Sequence, residues 1–159
     1  MLLACAAPTP VATPFPFTIE IASPEPTLDI SNCSTINCCS DCMEISVDRV
    51  INGDIFQSAN ARIRLFGVDT LERGEPCFTE ATARFRQLAG DSVRVEFGPR
   101  QQARYGRIRY YVYTDQEDSI DEMLIREGLA EAWTRDGQHR DVLVAAGKGA
   151  RRDGRGCLW

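Results

Sequence analysis

From Met43 onwards, short stretches of the chain alternate hydrophobic with polar residues, which is the pattern of half-buried β-strands. Ile45 and Val47 mark the first stretch. The others cover residues 55–58, 62–68, 93–97 and 108–112. The second and third stretches are close enough in sequence to predict a hairpin around residues 59–61. The pattern therefore predicts five short strands.

Three other segments carry helical signals. Hydrophobic residues recur every three to four positions from Phe78 to Leu88, and Gly90 ends that helix. The run Ser119-Ile120-Asp121-Glu122 fits a capping box, in which Ser caps the helix and Glu reaches back to it. It opens a second helix that Gly128 ends. A third helix is predicted from about Asp141 to Asp153.

Three strands, a helix, two strands and two helices follow one another in the order of an OB-fold barrel. We therefore predict an α+β fold over residues 43–159, consisting of a five-stranded OB-fold barrel plus three α-helices. Barrels of this kind bind nucleic acid across one open face.

The first 42 residues have a different composition. Residues 6–30 are rich in proline, which favours an extended tether. Cys5 follows Leu2-Leu3-Ala4, which looks like the processing box of bacterial lipoproteins, although neither a basic region nor a long hydrophobic stretch precedes it. We expect a secreted or cell-surface lipoprotein, tethered to a membrane through a lipidated Cys5. Residues 1–42 are then a disordered, cysteine-stapled tail.

Six further cysteines are consistent with up to three disulfides in an oxidising compartment. Four of them form the run C-x4-CC-x2-C: Cys33, Cys38, Cys39 and Cys42. A zinc site is the alternative, but the run has only one C-x2-C half-site and its adjacent cysteines are awkward for one tetrahedral metal. Disulfides are therefore favoured over zinc.

The net charge of −5 is concentrated in the tail, which holds four acidic residues and no lysine or arginine. The rest of the chain has 19 acidic and 18 basic residues and is nearly neutral. Non-specific phosphate binding needs clustered cations. The balance therefore predicts modest affinity focused on one cleft, which argues against a DNA-coating protein and is compatible with an enzyme.

Three separated segments carry the candidate chemistry: Val50-Ile51-Asn52-Gly53-Asp54, the stretch from Ile63 to Glu72, and Tyr105-Gly106-Arg107. In this order and spacing they resemble the staphylococcal nuclease (thermonuclease) family. Residues 119–130 resemble that family's second helix, and residues 150–159 its C-terminal helix and aromatic anchor. The resemblance covers residues 43–159.

The resemblance implies a Ca²⁺ site formed by the carboxylates of Asp54 and Asp69 and the backbone carbonyl of Thr70. Such oxygen donors are the ligands that Ca²⁺ prefers. It also implies that Glu72 acts as general base on a water molecule.

The resemblance assigns the transition-state phosphate to Arg64 and Arg107, whose planar guanidinium groups keep their charge. Tyr105 resembles a residue that donates a hydrogen bond to a substrate phosphate, with a packing role in the barrel as the alternative. Trp133 is a candidate for stacking on a base, in place of an aromatic residue that the family has near Thr134. His139 has no nucleophile to pair with, and we interpret it as a surface residue.

The sequence departs from the family pattern at four positions near the site: Asn52, Ile55, Leu71 and Ala103. Asn52 and Ile55 lie next to the predicted metal ligands, so an altered Ca²⁺ affinity is expected. Leu71 replaces a proline and should loosen the loop that carries Glu72. A disulfide between Cys77 and Cys157 would tie the first helix to the C-terminus.

The sequence thus predicts a monomeric Ca²⁺-dependent nuclease that hydrolyses single-stranded or frayed DNA and RNA with little sequence preference, leaving 3′-phosphate ends. The alternative is a catalytically silent OB-fold that only binds nucleic acid or protein. A purely structural surface lipoprotein would explain the tail, but not the five charged residues of the predicted site.

Overall fold

A computed structural model describes residues 35–36, 42–102 and 108–159. Eight strands and three helices are present in these residues. In chain order they are β1 (Met43–Ser46), β2 (Arg49–Asn52), β3 (Ile55–Ser58), β4 (Ala61–Leu65), β5 (Val68–Asp69), α1 (Phe78–Ala89), β6 (Ser92–Gln102), β7 (Ile108–Tyr113), α2 (Ile120–Arg126), β8 (Glu131–Ala132) and α3 (Arg140–Arg152). The predicted residues Cys5, Cys33, Cys38, Cys39, Ala103, Tyr105 and Arg107 lie outside the described part of the chain.

The main sheet curls into a barrel because of how its two edge strands are connected. Its six strands lie in the order β1-β6-β7-β4-β3-β2. Strands β1 and β2 are therefore at opposite edges, yet only Val47 and Asp48 separate them in the chain. The Val47 N–H donates to the Asp91 carbonyl beside β6, and the Asp48 N–H donates to the Gln57 carbonyl on β3. Two residues can span the sheet only if its edges approach each other, which is barrel closure.

The fold class predicted from the sequence, an OB-like α+β barrel with three helices, is confirmed. The predicted first strand around Ile45 corresponds to β1, and a further strand that was not predicted, β2, follows after the chain bends at Val47 and Asp48. A second small sheet, β5 paired with β8, was not predicted.

The core lies between the barrel and the helices. The apolar face predicted for α1 is the face that packs on the barrel. Phe85 on this face is fully buried, and its ring makes an edge contact with Phe56 at a centroid distance of 5.9 Å. Leu124 and Ile125 of α2 are also fully buried. Helix α3 adds Leu143 to the same cluster. No helix in the described ranges is long and apolar enough to cross a membrane.

The predicted disulfide between Cys77 and Cys157 is confirmed, with Cα atoms 5.4 Å apart. It joins the N-terminus of α1 to the end of the chain, 80 residues later. Cys42 is also disulfide-bonded, which supports disulfides rather than zinc for that cysteine.

The predicted N-cap of α2 is confirmed, and Glu122 has further partners that the sequence did not indicate. The Ser119 hydroxyl accepts the Glu122 N–H at 3.2 Å, as expected of an N-cap. The fully buried Glu122 carboxylate accepts hydrogen bonds from Thr35 N–H at 2.7 Å and Ile36 N–H at 2.8 Å, and it pairs with Arg126. Glu122 therefore anchors residues 35–36 to the barrel, and Ile36 joins the core cluster.

Candidate functional site

The site begins at the tight turn between β2 and β3, where Asp54 lies. A Cβ atom on Gly53 would be 2.9 Å from both Ala81 Cβ and Thr70 Cγ2, so only glycine fits before Asp54. The Asn52 side chain accepts the Asp54 N–H at 3.3 Å, and the Asp54 carbonyl accepts the Leu65 N–H at 2.9 Å. The turn thus holds the Asp54 carboxyl at a position that is only 2% exposed.

Arg64 brings two carboxylates from different strands together. Its Nη2 atom lies 2.8 Å from Asp54 Oδ2 and 2.5 Å from Asp69 Oδ1. Asp54 is buried, whereas the Asp69 side chain is 57% exposed. Two acidic groups therefore converge on one point that opens to solvent on the Asp69 side, where a single guanidinium can balance only one of their two charges.

The electrostatics of Asp54 suit a site that receives a cation. Burial raises the pKa of Asp54 to about 6, while Arg64 lowers it and the nearby Asp69 and Glu72 carboxylates raise it. A negative charge at this place is therefore costly unless a positive charge is close. A bound cation would supply that charge when Arg64 turns toward a substrate.

Glu72 lies on the exposed side of the site, in the segment between β5 and α1. Its N–H donates to the Glu75 carboxylate at 2.6 Å, and its carbonyl accepts the Glu75 N–H at 3.0 Å. This turn orders the backbone beside Leu71. The Glu72 carboxylate is exposed and close enough to Asp54 to raise its pKa.

The donors present fit a Ca²⁺ ion that takes the rest of its ligands from elsewhere. The Thr70 hydroxyl is buried beside the Asp54 carboxyl and helps to lower its pKa. Within the described residues there is no cluster of three or more His, Cys, Asp or Glu side chains that could hold a metal. Two carboxylates and a carbonyl provide only part of the six to eight oxygens that Ca²⁺ takes. Water and substrate phosphate would supply the others.

Asp121, a residue that the sequence did not assign to the site, holds the approach to Asp69 in place. Its fully buried carboxylate accepts the Gly67 N–H at 2.7 Å and the Val112 N–H at 3.0 Å. The Gly67 carbonyl in turn accepts the Trp133 N–H at 2.8 Å. Gly67 directly precedes β5, so α2 and β8 together fix the strand that carries Asp69.

Asp121 is expected to make stability depend on pH. Burial raises its pKa to about 7, although the Val112 and Gly67 N–H groups lower it. The folded protein therefore holds this proton more tightly than the unfolded chain, and the stability from it is complete below about pH 4 and lost as pH rises to about 7. Asparagine at position 121 cannot titrate. The loss in free energy of unfolding caused by Asp121→Asn should therefore be smaller at about pH 8 than at about pH 5, by at least ~1 kcal/mol. Urea denaturation in EGTA measures it, and a cost independent of pH would contradict the assignment.

The indole of Trp133 is held among charged residues. Its Nε1–H donates to Asp136 Oδ1 at 2.8 Å. The guanidinium carbons of Arg109 and Arg135 lie 5.3 Å and 5.1 Å from its ring centroid. The ring lies at the site's edge, because Trp133 follows β8 directly and β8 pairs with the strand of Asp69.

The interpretation of His139 as a surface residue is wrong. Its Nε2 atom lies 2.8 Å from Glu96 Oε2, which also accepts the Tyr113 hydroxyl, and its ring makes an edge contact with Tyr111. Although burial raises the pKa of Glu96, hydrogen bonds from Tyr113, His139 and Gln138 bring it below its ordinary value. The group joins β6, β7 and the start of α3, so His139 has a structural partner that the sequence pattern did not indicate.

Fold and site together define a small OB-like barrel with a carboxylate pair and an arginine at one edge. The family model of staphylococcal nuclease homologues matches residues 62–159. The chain is 34% identical to a thermonuclease of Staphylococcus hyicus over a 97-residue alignment that covers 54% of this chain and 57% of that protein. It is 31% identical to a thermonuclease of Staphylococcus intermedius over 119 residues, covering 67% and 70% of the two chains. The match spans less than two thirds of the first relative. The chain belongs to the staphylococcal nuclease family.

Proposed function

We propose that this protein is a Ca²⁺-dependent nuclease that hydrolyses phosphodiester bonds of DNA and RNA. The observation that carries the proposal is the convergence of Asp54 and Asp69 on the Nη2 atom of Arg64. The two relatives are both thermonucleases, which supports the same activity.

Asp54, Asp69 and the Thr70 carbonyl would hold the cation. When bound, Ca²⁺ neutralises the scissile phosphate and favours attack by a water molecule. Arg64 pairs with both carboxylates, and its planar donors would bind phosphate oxygens of the substrate once a cation took over that pairing. Arg107 would contribute a second guanidinium, and Tyr105 a hydrogen bond to a substrate phosphate.

Glu72 would act on the attacking water. Its exposed carboxylate faces the solvent side of the site, where water enters, and its backbone is fixed by the turn with Glu75. A carboxylate there can accept a proton from the water or orient it for in-line attack. The proton then passes to solvent.

The substrate that fits is a flexible single strand or a frayed duplex, cut with little sequence preference. The nearly neutral charge of residues 43–159 argues against a broad basic surface that would hold a duplex. We further propose 3′-phosphate products, a monomeric enzyme, and a secreted or surface location with a tether through Cys5.

The proposal is tested by digesting denatured DNA with the wild-type protein and with Arg107→Ala. We expect Arg107→Ala to lower the rate about 100-fold or more, since it removes a donor to the transition-state phosphate. Arg86→Ala, which removes an exposed arginine from α1, is the matched control and should keep the wild-type rate. Product ends should block polymerase extension until a phosphatase has acted. Unchanged activity in Arg107→Ala would mean that the site is elsewhere, and a wild-type protein that binds DNA without cutting it would favour the silent binding module.

A further inference from the structure

Arg109 occupies a place beside the site that no predicted role explains. Strands β4 and β7 are parallel, and their register puts Arg109 directly opposite Arg64. Paired residues on neighbouring strands have their side chains on the same face of the sheet, about 5 Å apart at Cβ. The arginine that contacts both site carboxylates therefore has a second arginine as its neighbour.

This second arginine is half-buried beside the site. Arg109 makes no ion pair with any residue in the described ranges, and its buried Nε atom has no hydrogen-bond partner there. Burial lowers the pKa of Arg109 and the positive charges of Arg64 and Arg100 lower it further, while the carboxylates of Asp136 and Asp69 act in the opposite direction. Arg100, by contrast, makes two bonds to Asp136, at 2.6 Å and 2.7 Å. A half-buried cation that makes no direct ion pair within the described part of the chain is able to receive an anion.

The Trp133 ring holds Arg109 in position. The indole is anchored by Asp136 and by the backbone bond to Gly67, and the Arg109 guanidinium lies 5.3 Å from the ring centroid. Arg135, which is exposed, contacts the same ring at 5.1 Å. An aromatic ring favours a cation at that distance. Together with Arg100, which pairs with Asp136, these described residues comprise three arginines and one aspartate. A local excess of positive charge therefore lies beside the carboxylate site.

We propose that Arg109 and Arg135, held against Trp133, bind the backbone phosphates that flank the scissile one on a nucleic-acid strand. The inference rests on the proposed nuclease function, because it requires the scissile phosphate to lie at Arg64. Trp133 is then a platform for the two arginines, and not itself a surface on which a base stacks. Arg109 and Arg135 form this phosphate subsite, and through it longer strands bind more tightly than a fragment with a single phosphate.

The first arm of the test measures binding without cleavage. A single-stranded oligothymidylate of about 12 nucleotides is titrated in EDTA, with salt varied, against wild type, Arg109→Met, Arg135→Ala and the control Arg86→Ala. We expect Arg109→Met to weaken binding about 5- to 10-fold and to reduce the slope of log K against log salt by about 0.7, the value for one phosphate contact on a single strand. Arg135→Ala should also reduce the slope, and Arg86→Ala should not.

The second arm separates the flanking phosphates from the reacting one. A dinucleoside monophosphate has one phosphodiester and no flanking phosphate, so in Ca²⁺ Arg109→Met should lose about 5- to 10-fold in kcat/KM on the oligothymidylate and much less on the dinucleoside. An equal loss on both substrates would place Arg109 at the reacting phosphate and overturn the inference. An unchanged salt slope in Arg109→Met would overturn it too, and if that variant does not fold, the exposed Arg135→Ala decides alone. If wild type cleaves neither substrate, the proposed function fails, while the binding arm still tests the subsite.

Discussion

Replacing Arg64 with alanine is expected to lower kcat on single-stranded DNA by about 10³-fold. Within the described residues, the Arg64 side chain contacts both predicted Ca²⁺ ligands, so it lies where a guanidinium would reach a phosphate bound at that site. Its loss removes a donor to the transition state. Ca²⁺ binding should not weaken, because the substitution removes a cation that competes for the carboxylates and leaves all ligands of the ion in place.

Arg62 provides the matched control for this substitution. It lies two residues earlier on β4, on the same face of the strand, and it is exposed. Arg62→Ala should therefore keep nearly the wild-type kcat. Arg64→Lys keeps the charge without the paired donors, and it should recover only part of the activity. Loss of Ca²⁺ binding together with activity in Arg64→Ala would show that Arg64 acts by holding the site's structure.

Removing the Cys77–Cys157 disulfide is expected to lower the free energy of unfolding by about 4 kcal/mol. The bond closes a loop of 80 residues, and opening it returns that much conformational freedom to the unfolded chain. The loop contains α1, α2 and α3, so the loss concerns the whole barrel. Urea denaturation of the double variant Cys77→Ser/Cys157→Ser measures it.

The single variant Cys157→Ser is a useful comparison, because it opens the loop while the buried Cys77 side chain remains. Its loss of stability should nearly equal that of the double variant. A large gap between the two would mean that packing at Cys77, and not loop closure, stabilises the protein. A loss below about 1 kcal/mol in both would contradict the account.

Local patterns were enough to predict most elements of the fold. The alternation in β3, β4, β6 and β7, the apolar face of α1, and the caps at Ser119 and Gly90 depend on residues that are close in sequence. The split between β1 and β2 could not be predicted in this way, because the bend is set by bonds to Asp91 and Gln57 elsewhere in the barrel. The pairing of β5 with β8 involves only two residues on each strand, which is too short for a periodic signal.

The residues of the site likewise fall into those that the sequence could predict and those that it could not. Asp54, Arg64 and Asp69 lie in recognisable segments, and the structure brings them together. The roles of Asp121, Glu122 and His139 depend on partners far away in the chain, so their residue types alone suggested only a helix cap and a surface histidine. Arg109 gave no signal, since its significance comes from its register with Arg64 and its contact with Trp133.

The central claim is that Asp54 and Asp69 form the metal site of a nuclease. The most direct measurement is the release of acid-soluble nucleotides from denatured DNA by the wild-type protein, first in Ca²⁺, then after EGTA, and again after Ca²⁺ is restored. The account predicts cleavage that stops with EGTA and returns with Ca²⁺. Cleavage that continues unchanged in EGTA, or no cleavage by folded protein in Ca²⁺, would contradict it.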